Sequence, residues 1–134
     1  MLPKAHRLRH YRDFSAVYQK GMRRSSSHLT LRVLKRPKNG TNGPSNEPQS
    51  SQPSRIGISI SQKVSKRAVI RNRIKRQIRA ICRELYPWLI VDRDIIIIVH
   101  PTATECNYQE FLQQLEQLLV GANLLNGYTR RSLL

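Results

Sequence analysis

Between residues 66 and 86 the apolar side chains Ile70, Ile74, Ile78, Ile81 and Leu85 recur at steps of four, four, three and four. That spacing lines them up along one side of an α-helix, while a wheel turning 100° per residue sends Asn72, Lys75, Arg76, Arg79 and Arg83 to the opposite side. Such a helix has one face that must be covered and one that cannot be, so it belongs on the outside of a layer. Ser65 is the expected N-cap and Pro87 the expected stop. With 134 residues in all, the chain has room for one core, and 1–134 reads as a single domain.

The layer under that helix is legible on either side of it. Leu29, Leu31 and Val33 alternate in one run and Ile56, Ile58 and Ile60 in another, the period of half-buried strands. Residues 94–99 are nearly all Ile and Val, as in a strand covered on both faces. Phe14, Val17 and Tyr18 predict a first helix over residues 11–20, with Gly21 expected as a left-handed C-terminal cap. Phe111, Leu112, Leu115, Leu118 and Leu119 predict a last helix ending before Gly127, opened by Asn107 and Glu110 as a capping box. The order helix, two strands, helix, strand, helix points to an α+β fold, a small sandwich of one sheet with helices packed on it. Residues 37–54 hold four prolines and no large apolar residue and are expected to form a flexible loop; 128–134 are expected to be a disordered tail.

Charge narrows the function. Lys and Arg number 24 against 8 Asp and Glu, a net +16, and the excess falls in the first 83 residues. Lys63, Lys66, Arg67, Arg71, Arg73, Lys75, Arg76, Arg79 and Arg83 follow one another with no acid before Glu84. Like charges one turn apart cost about 0.2 to 0.5 kcal/mol per pair when uncompensated, a cost that phosphates reverse. Arginine, whose planar fork holds two phosphate oxygens at once, suits structured RNA. Phe14 and Tyr18, one turn apart among Arg7, Arg9, Arg12 and Lys20, form the aromatic and cationic mixture that holds unpaired nucleotides, although the same two rings would also serve as core anchors.

Other chemistries find little support. His6, His10, His28 and His100 lack metal-ligand spacing and read as isolated surface side chains. Asp92 and Asp94, two apart at a strand entrance, read as turn caps, and Cys82 as an inert, half-buried thiol with no histidine beside it. Two cysteines without a C-x-x-C pair argue against zinc and disulfides, and no apolar run is long enough for a signal segment or membrane span. A cytoplasmic protein with neither membrane nor DNA as partner is expected.

The run Arg71-Asn72-Arg73-Ile74-Lys75-Arg76, preceded by Lys63 and Ala68 and by the strand Gly57-Ile58-Ser59-Ile60-Ser61, resembles the family of bacterial ribonuclease P protein subunits. Arg7-Leu8, Asp13-Phe14, Lys20-Gly21 and Arg55-Ile56-Gly57 extend the resemblance over most of the chain. The chain departs from the family pattern at Gln62, where lysine is usual, at Arg32, where an aromatic is common, and at His100, near a position often held by arginine.

The resemblance implies a left-handed βαβ crossover built on the R-N-R helix. It also implies a protein without catalytic residues that assists a catalytic RNA, whose own Mg²⁺ ions serve in removing the 5′ leader of precursor tRNA. No cofactor is then expected on the protein itself. By resemblance Lys63, Lys66, Arg67, Arg71, Asn72, Arg73, Lys75, Arg76 and Arg79 meet the catalytic RNA. Arg7, Arg9, Arg12, Phe14, Tyr18, Lys20 and Arg32 meet the leader. A generic basic protein of ribosomal type is the alternative, and it explains the charge but not the combined order of motifs.

Overall fold

Two apolar strands form the centre of the fold. In the computed structural model, which describes residues 4–36 and 52–125, β2 (Leu29–Lys35) lies antiparallel to β4 (Arg93–Val99), with Leu29 opposite Val99 and Lys35 opposite Arg93. β1 (Met22–Ser25) adds to the far side of β2, and β3 (Arg55–Ser59) lies parallel to β4, giving the order β1-β2-β4-β3. Adjacent parallel strands need a long connection, supplied here by α2 (Ala68–Leu85) in a βαβ crossover.

The alternation of side chains divides the core in two. Leu29, Leu31, Val33, Ile56, Ile95, Ile97 and Val99 face α2 and α3 (Tyr108–Gly121), burying Ile74, Ile78, Ile81 and Leu85 of one helix and Phe111, Leu115, Leu118 and Leu119 of the other. On the opposite face Ile96 packs with Leu8 and with Val17 of α1 (Tyr11–Lys20), joined by the half-buried Phe14, Leu34 and Ile98. The sandwich of one mixed sheet with helices on it is the expected α+β arrangement.

Several local features differ from the sequence reading. β1 was not foreseen, because all four of its residues are exposed and an edge strand held by backbone pairing shows no apolar period. Gly21 is extended (φ −76°, ψ 155°) rather than left-handed. Glycine is required there by close approach, since a Cβ would lie 2.9 Å from the Val33 carbonyl oxygen and closer still to that of Val17. α2 begins at Ala68 with Arg67 as its N-cap, whose side chain makes no capping hydrogen bond, and Ser65 instead shapes the approach, its Oγ accepting from the Arg67 N–H at 3.2 Å.

Pro87 does end α2, in the 3-10 turn Tyr86–Trp88. The capping box of α3 forms as expected, the Glu110 N–H donating to Asn107 Oδ1 at 2.9 Å and the Asn107 N–H to Glu110 Oε1 at 3.2 Å. Most of the expected 37–54 loop and all of the 128–134 tail lie outside the described residues. Residues 52–54 are firmly tied: Ser54 is buried, its carbonyl accepts from the Tyr86 hydroxyl at 2.7 Å, and the Gln52 N–H donates to Asp92 Oδ1 at 2.7 Å.

Candidate nucleic-acid interface

α2 presents most of its charge as its sequence dictates, but Lys75, expected opposite the isoleucine stripe, lies on a flank. With Ile74, Ile78 and Ile81 completely buried, Asn72, Arg73, Arg76, Arg79 and Arg83 are left exposed, while Arg71 and Lys75 are half-buried on the flanks. Lys63, Lys66 and Arg67 are exposed on the turn that leads into the helix. Two of the arginines also serve the fold. A guanidinium N–H of Arg71 donates to the Ser65 carbonyl at 2.7 Å, tying the helix to its approach, and one of Arg73 donates to the Thr104 carbonyl at 3.1 Å.

Across the sheet, Phe14 reaches from α1 over β3. Its ring fills the space above Gly57, where an added Cβ would sit 2.5 Å from Phe14 Cζ, so only glycine lets the ring lie against the strand. Beside it opens a cavity of about 280 Å³ lined by Arg7, Arg9, Phe14, Gly57, Ile58 and Arg79, among others. The sequence assigned Arg79 to one interface and Arg7, Arg9 and Phe14 to another. In the fold the two meet at the outer side of β3.

The remaining residues of the second set do not line that cavity. Arg12 and Lys20 are exposed on α1. Tyr18, 39% exposed, is paired with Arg32: the guanidinium carbon lies 5.3 Å from the ring centroid and an N–H donates to the Tyr18 carbonyl at 2.6 Å. One face of this ring is therefore already occupied by a cation. Arg23 stands directly opposite Arg32 on β1, which concentrates positive charge there.

The arrangement is braced by Asp94, where the sequence predicts a turn cap. It is buried and accepts two hydrogen bonds from Arg55, at 2.9 and 2.8 Å, while Arg36 approaches to 3.3 Å. Arg55 also reaches Asp13 of α1 at 3.2 Å, so one guanidinium links α1, β3 and β4. The hydrogen bond to Asp94 raises the Arg55 pKa further, against the opposing effect of burial. Asp92 does hold a turn, at φ 61°.

Other sequence readings need correction. The histidines other than His10 have partners: His6 stacks on Tyr86 with centroids 4.0 Å apart, His28 Nδ1 lies 2.8 Å from Thr102 Oγ1, and His100 Nε2 lies 2.6 Å from Thr30 Oγ1. Cys82 is buried rather than marginal, and desolvation pushes its thiol up to about 12. Among the described residues no three His, Cys, Asp or Glu side chains are grouped to hold a metal ion.

A sequence profile of the family described as Ribonuclease P matches residues 2–123. The chain belongs to the ribonuclease P protein family. It is 56% identical over 131 residues to the ribonuclease P protein component of a Cyanothece species, covering 96% of this chain and 100% of that relative. The protein component of Microcystis aeruginosa is 52% identical over 127 residues, covering 95% and 98%.

Solved structures agree in fold. The RNase P protein of Staphylococcus aureus superposes with a TM-score of 0.75 at 28% identity, covering 92% of this chain and 100% of that one. The RNase P protein of Thermotoga maritima gives 0.67 at 26% identity, covering 84% and 96%. As a ribonuclease P protein the chain is a subunit of an endoribonuclease of tRNA processing, and its partner is the ribonuclease P RNA. No helix among the described residues is long and apolar enough to cross a membrane.

Proposed function

We propose that the exposed face of α2 binds the ribonuclease P RNA while the groove between α1 and β3 holds the single-stranded 5′ leader of precursor tRNA. The reading is supported above all by the shared cavity, in which Arg79 of the R-N-R helix stands beside Phe14, Arg7 and Arg9. An RNA lying on α2 and a strand lying on α1 would then be neighbours, so that the protein bridges catalyst and substrate. Phosphates on α2 relieve the repulsion among its cations, and an unpaired base stacks on Phe14. Tyr18 and Arg32 act as a pair, the guanidinium offering donors where a second free ring would offer only a face. Cleavage belongs to the RNA with its Mg²⁺ ions, and the reaction is placed in the cytoplasm.

The test is reconstitution on precursor tRNA with the protein alone, the RNA alone and both. Cleavage is expected from the RNA and is improved by the protein, which alone is inactive. In the holoenzyme Phe14→Ala is expected to weaken precursor tRNA by about five- to 150-fold, one lost stack, and to spare mature tRNA, which has no leader. Equal losses for both RNAs, in a variant shown by circular dichroism to fold, contradict the leader assignment.

A further inference from the structure

The segment that carries Arg7 and Arg9 leaves the 3-10 turn Lys4–His6 and crosses the outer edge of β3, the last strand of the sheet. Its backbone is held there by the isolated bridge of Arg7 with Ile56 and by the Leu8 N–H, which donates to the Ile56 carbonyl at 3.0 Å. A segment tied by so few backbone bonds opens readily unless side chains anchor it. Leu8 is one anchor, buried with Val17 and Ile96 on the α1 side. His6 is the other. Its ring stacks on Tyr86 with centroids 4.0 Å apart and planes within 11° of parallel, and Tyr86 packs on the core beneath α2 and α3. We propose that this stack makes His6 a positioning residue for the leader groove, one that holds Arg7 and Arg9 beside Phe14 and ties them to the end of the R-N-R helix.

Tyr86 is a fixed seat for that ring. It caps the C-terminus of α2, and its hydroxyl donates at 2.7 Å to the carbonyl of Ser54, immediately before β3. The phenol is thus tied to the helix at one end and to the strand at the other. His6 contributes its face rather than its nitrogens, since Nδ1 is buried and has no hydrogen-bond partner among the described residues. An orphaned polar atom is a cost that the stacked face offsets, so an apolar ring of similar shape serves as well. Arg7 follows His6 directly, and Arg7 and Arg9 both line the cavity shared by Phe14 and Arg79. Cations on a loose segment must be ordered when they meet RNA, whereas on an anchored one that entropy is already lost. The positioning role rests on the leader reading above; the anchoring of the segment does not.

The experiment compares His6→Ala and His6→Phe with the native protein, each checked for folding by circular dichroism. In the free protein, amide exchange at Leu8, followed by NMR, is expected to quicken about two- to tenfold in His6→Ala, the range of one aromatic pair, while exchange at Ile78 within α2 stays as it was. In the reconstituted holoenzyme the same variant is expected to weaken precursor tRNA by a similar factor. The salt slope of that binding should fall by about one, with the affinity for mature tRNA unchanged. His6→Phe is expected to restore all three readouts, and in a Tyr86→Leu background His6→Ala is expected to add no further loss. A general loss of stability moves neither the salt slope nor the preference for precursor over mature tRNA. Unchanged exchange at Leu8, failure of His6→Phe to rescue, or a native preference for precursor that survives in His6→Ala overturns the proposal. If the native holoenzyme binds precursor no tighter than mature tRNA, the leader reading fails by itself and exchange at Leu8 still judges the anchoring.

Discussion

Gly57 and Cys82 show how much single positions decide here. Gly57 gives Phe14 its seat, and Gly57→Ala forces the ring off the strand or the strand off the ring. The expected cost is about 1 to 3 kcal/mol of stability from overpacking, measured by urea unfolding, together with weaker binding of leader-bearing tRNA. Cys82 acts through burial. Its thiol, pushed by burial from the ordinary 9.0 up to about 12, keeps its proton at pH values where the unfolded chain has lost it. Its contribution to stability is therefore intact below about pH 9 and falls as pH rises toward 12, by about 1.4 kcal/mol per pH unit. Unfolding free energies of the native chain and Cys82→Ala, followed upward from about pH 8, are expected to show the native chain losing stability faster. Parallel curves would contradict the assignment.

Among the elements, α2 does two jobs with two faces, and the separation makes the charged one testable. Asn72 and Arg76 are exposed and make no contact on which the helix is built. Asn72→Ala with Arg76→Ala is expected to leave the circular dichroism spectrum unchanged and to weaken binding to the ribonuclease P RNA. The salt slope of that binding should fall by about one, as for the loss of one phosphate contact. Arg71 is a poorer probe, since its guanidinium also holds the Ser65 carbonyl and its removal loosens the start of the helix. Unchanged affinity and slope in the double variant would move the RNA surface elsewhere.

Across the whole molecule, α1, β3 and β4 are held in register by Asp94 and its two arginines, and the groove owes its shape to that brace. Asp94→Ala takes the carboxylate from between Arg36 and Arg55 and leaves Arg55 with Asp13. Because both arginines keep some access to water, the expected loss is about 2 to 4 kcal/mol, below that of a fully buried pair. Urea unfolding measures it, and a loss under about 0.5 kcal/mol, the level of an ordinary surface substitution, would show that the brace is dispensable.

The amphipathic stripe of α2, the alternation in β2 and β3, the Asn107 box and the segregated cations were legible along the chain because each is a periodic or local signal that neighbouring residues suffice to define. The exposed strand β1 has no such period and was invisible. So was the role of Asp94, whose partners lie 39 positions away at Arg55 and at the end of β2. The cavity beside Phe14 was likewise beyond the sequence, although its cations were noticed singly. Which of them converge depends on strand order and register, and these follow from the packing of the whole core rather than from any stretch of it. Backbone approach of this kind also explains Gly21, whose spacing after the helix matches a left-handed cap while its real constraint is the approach of two carbonyls, that of Val17 in its own helix and that of Val33 across the chain.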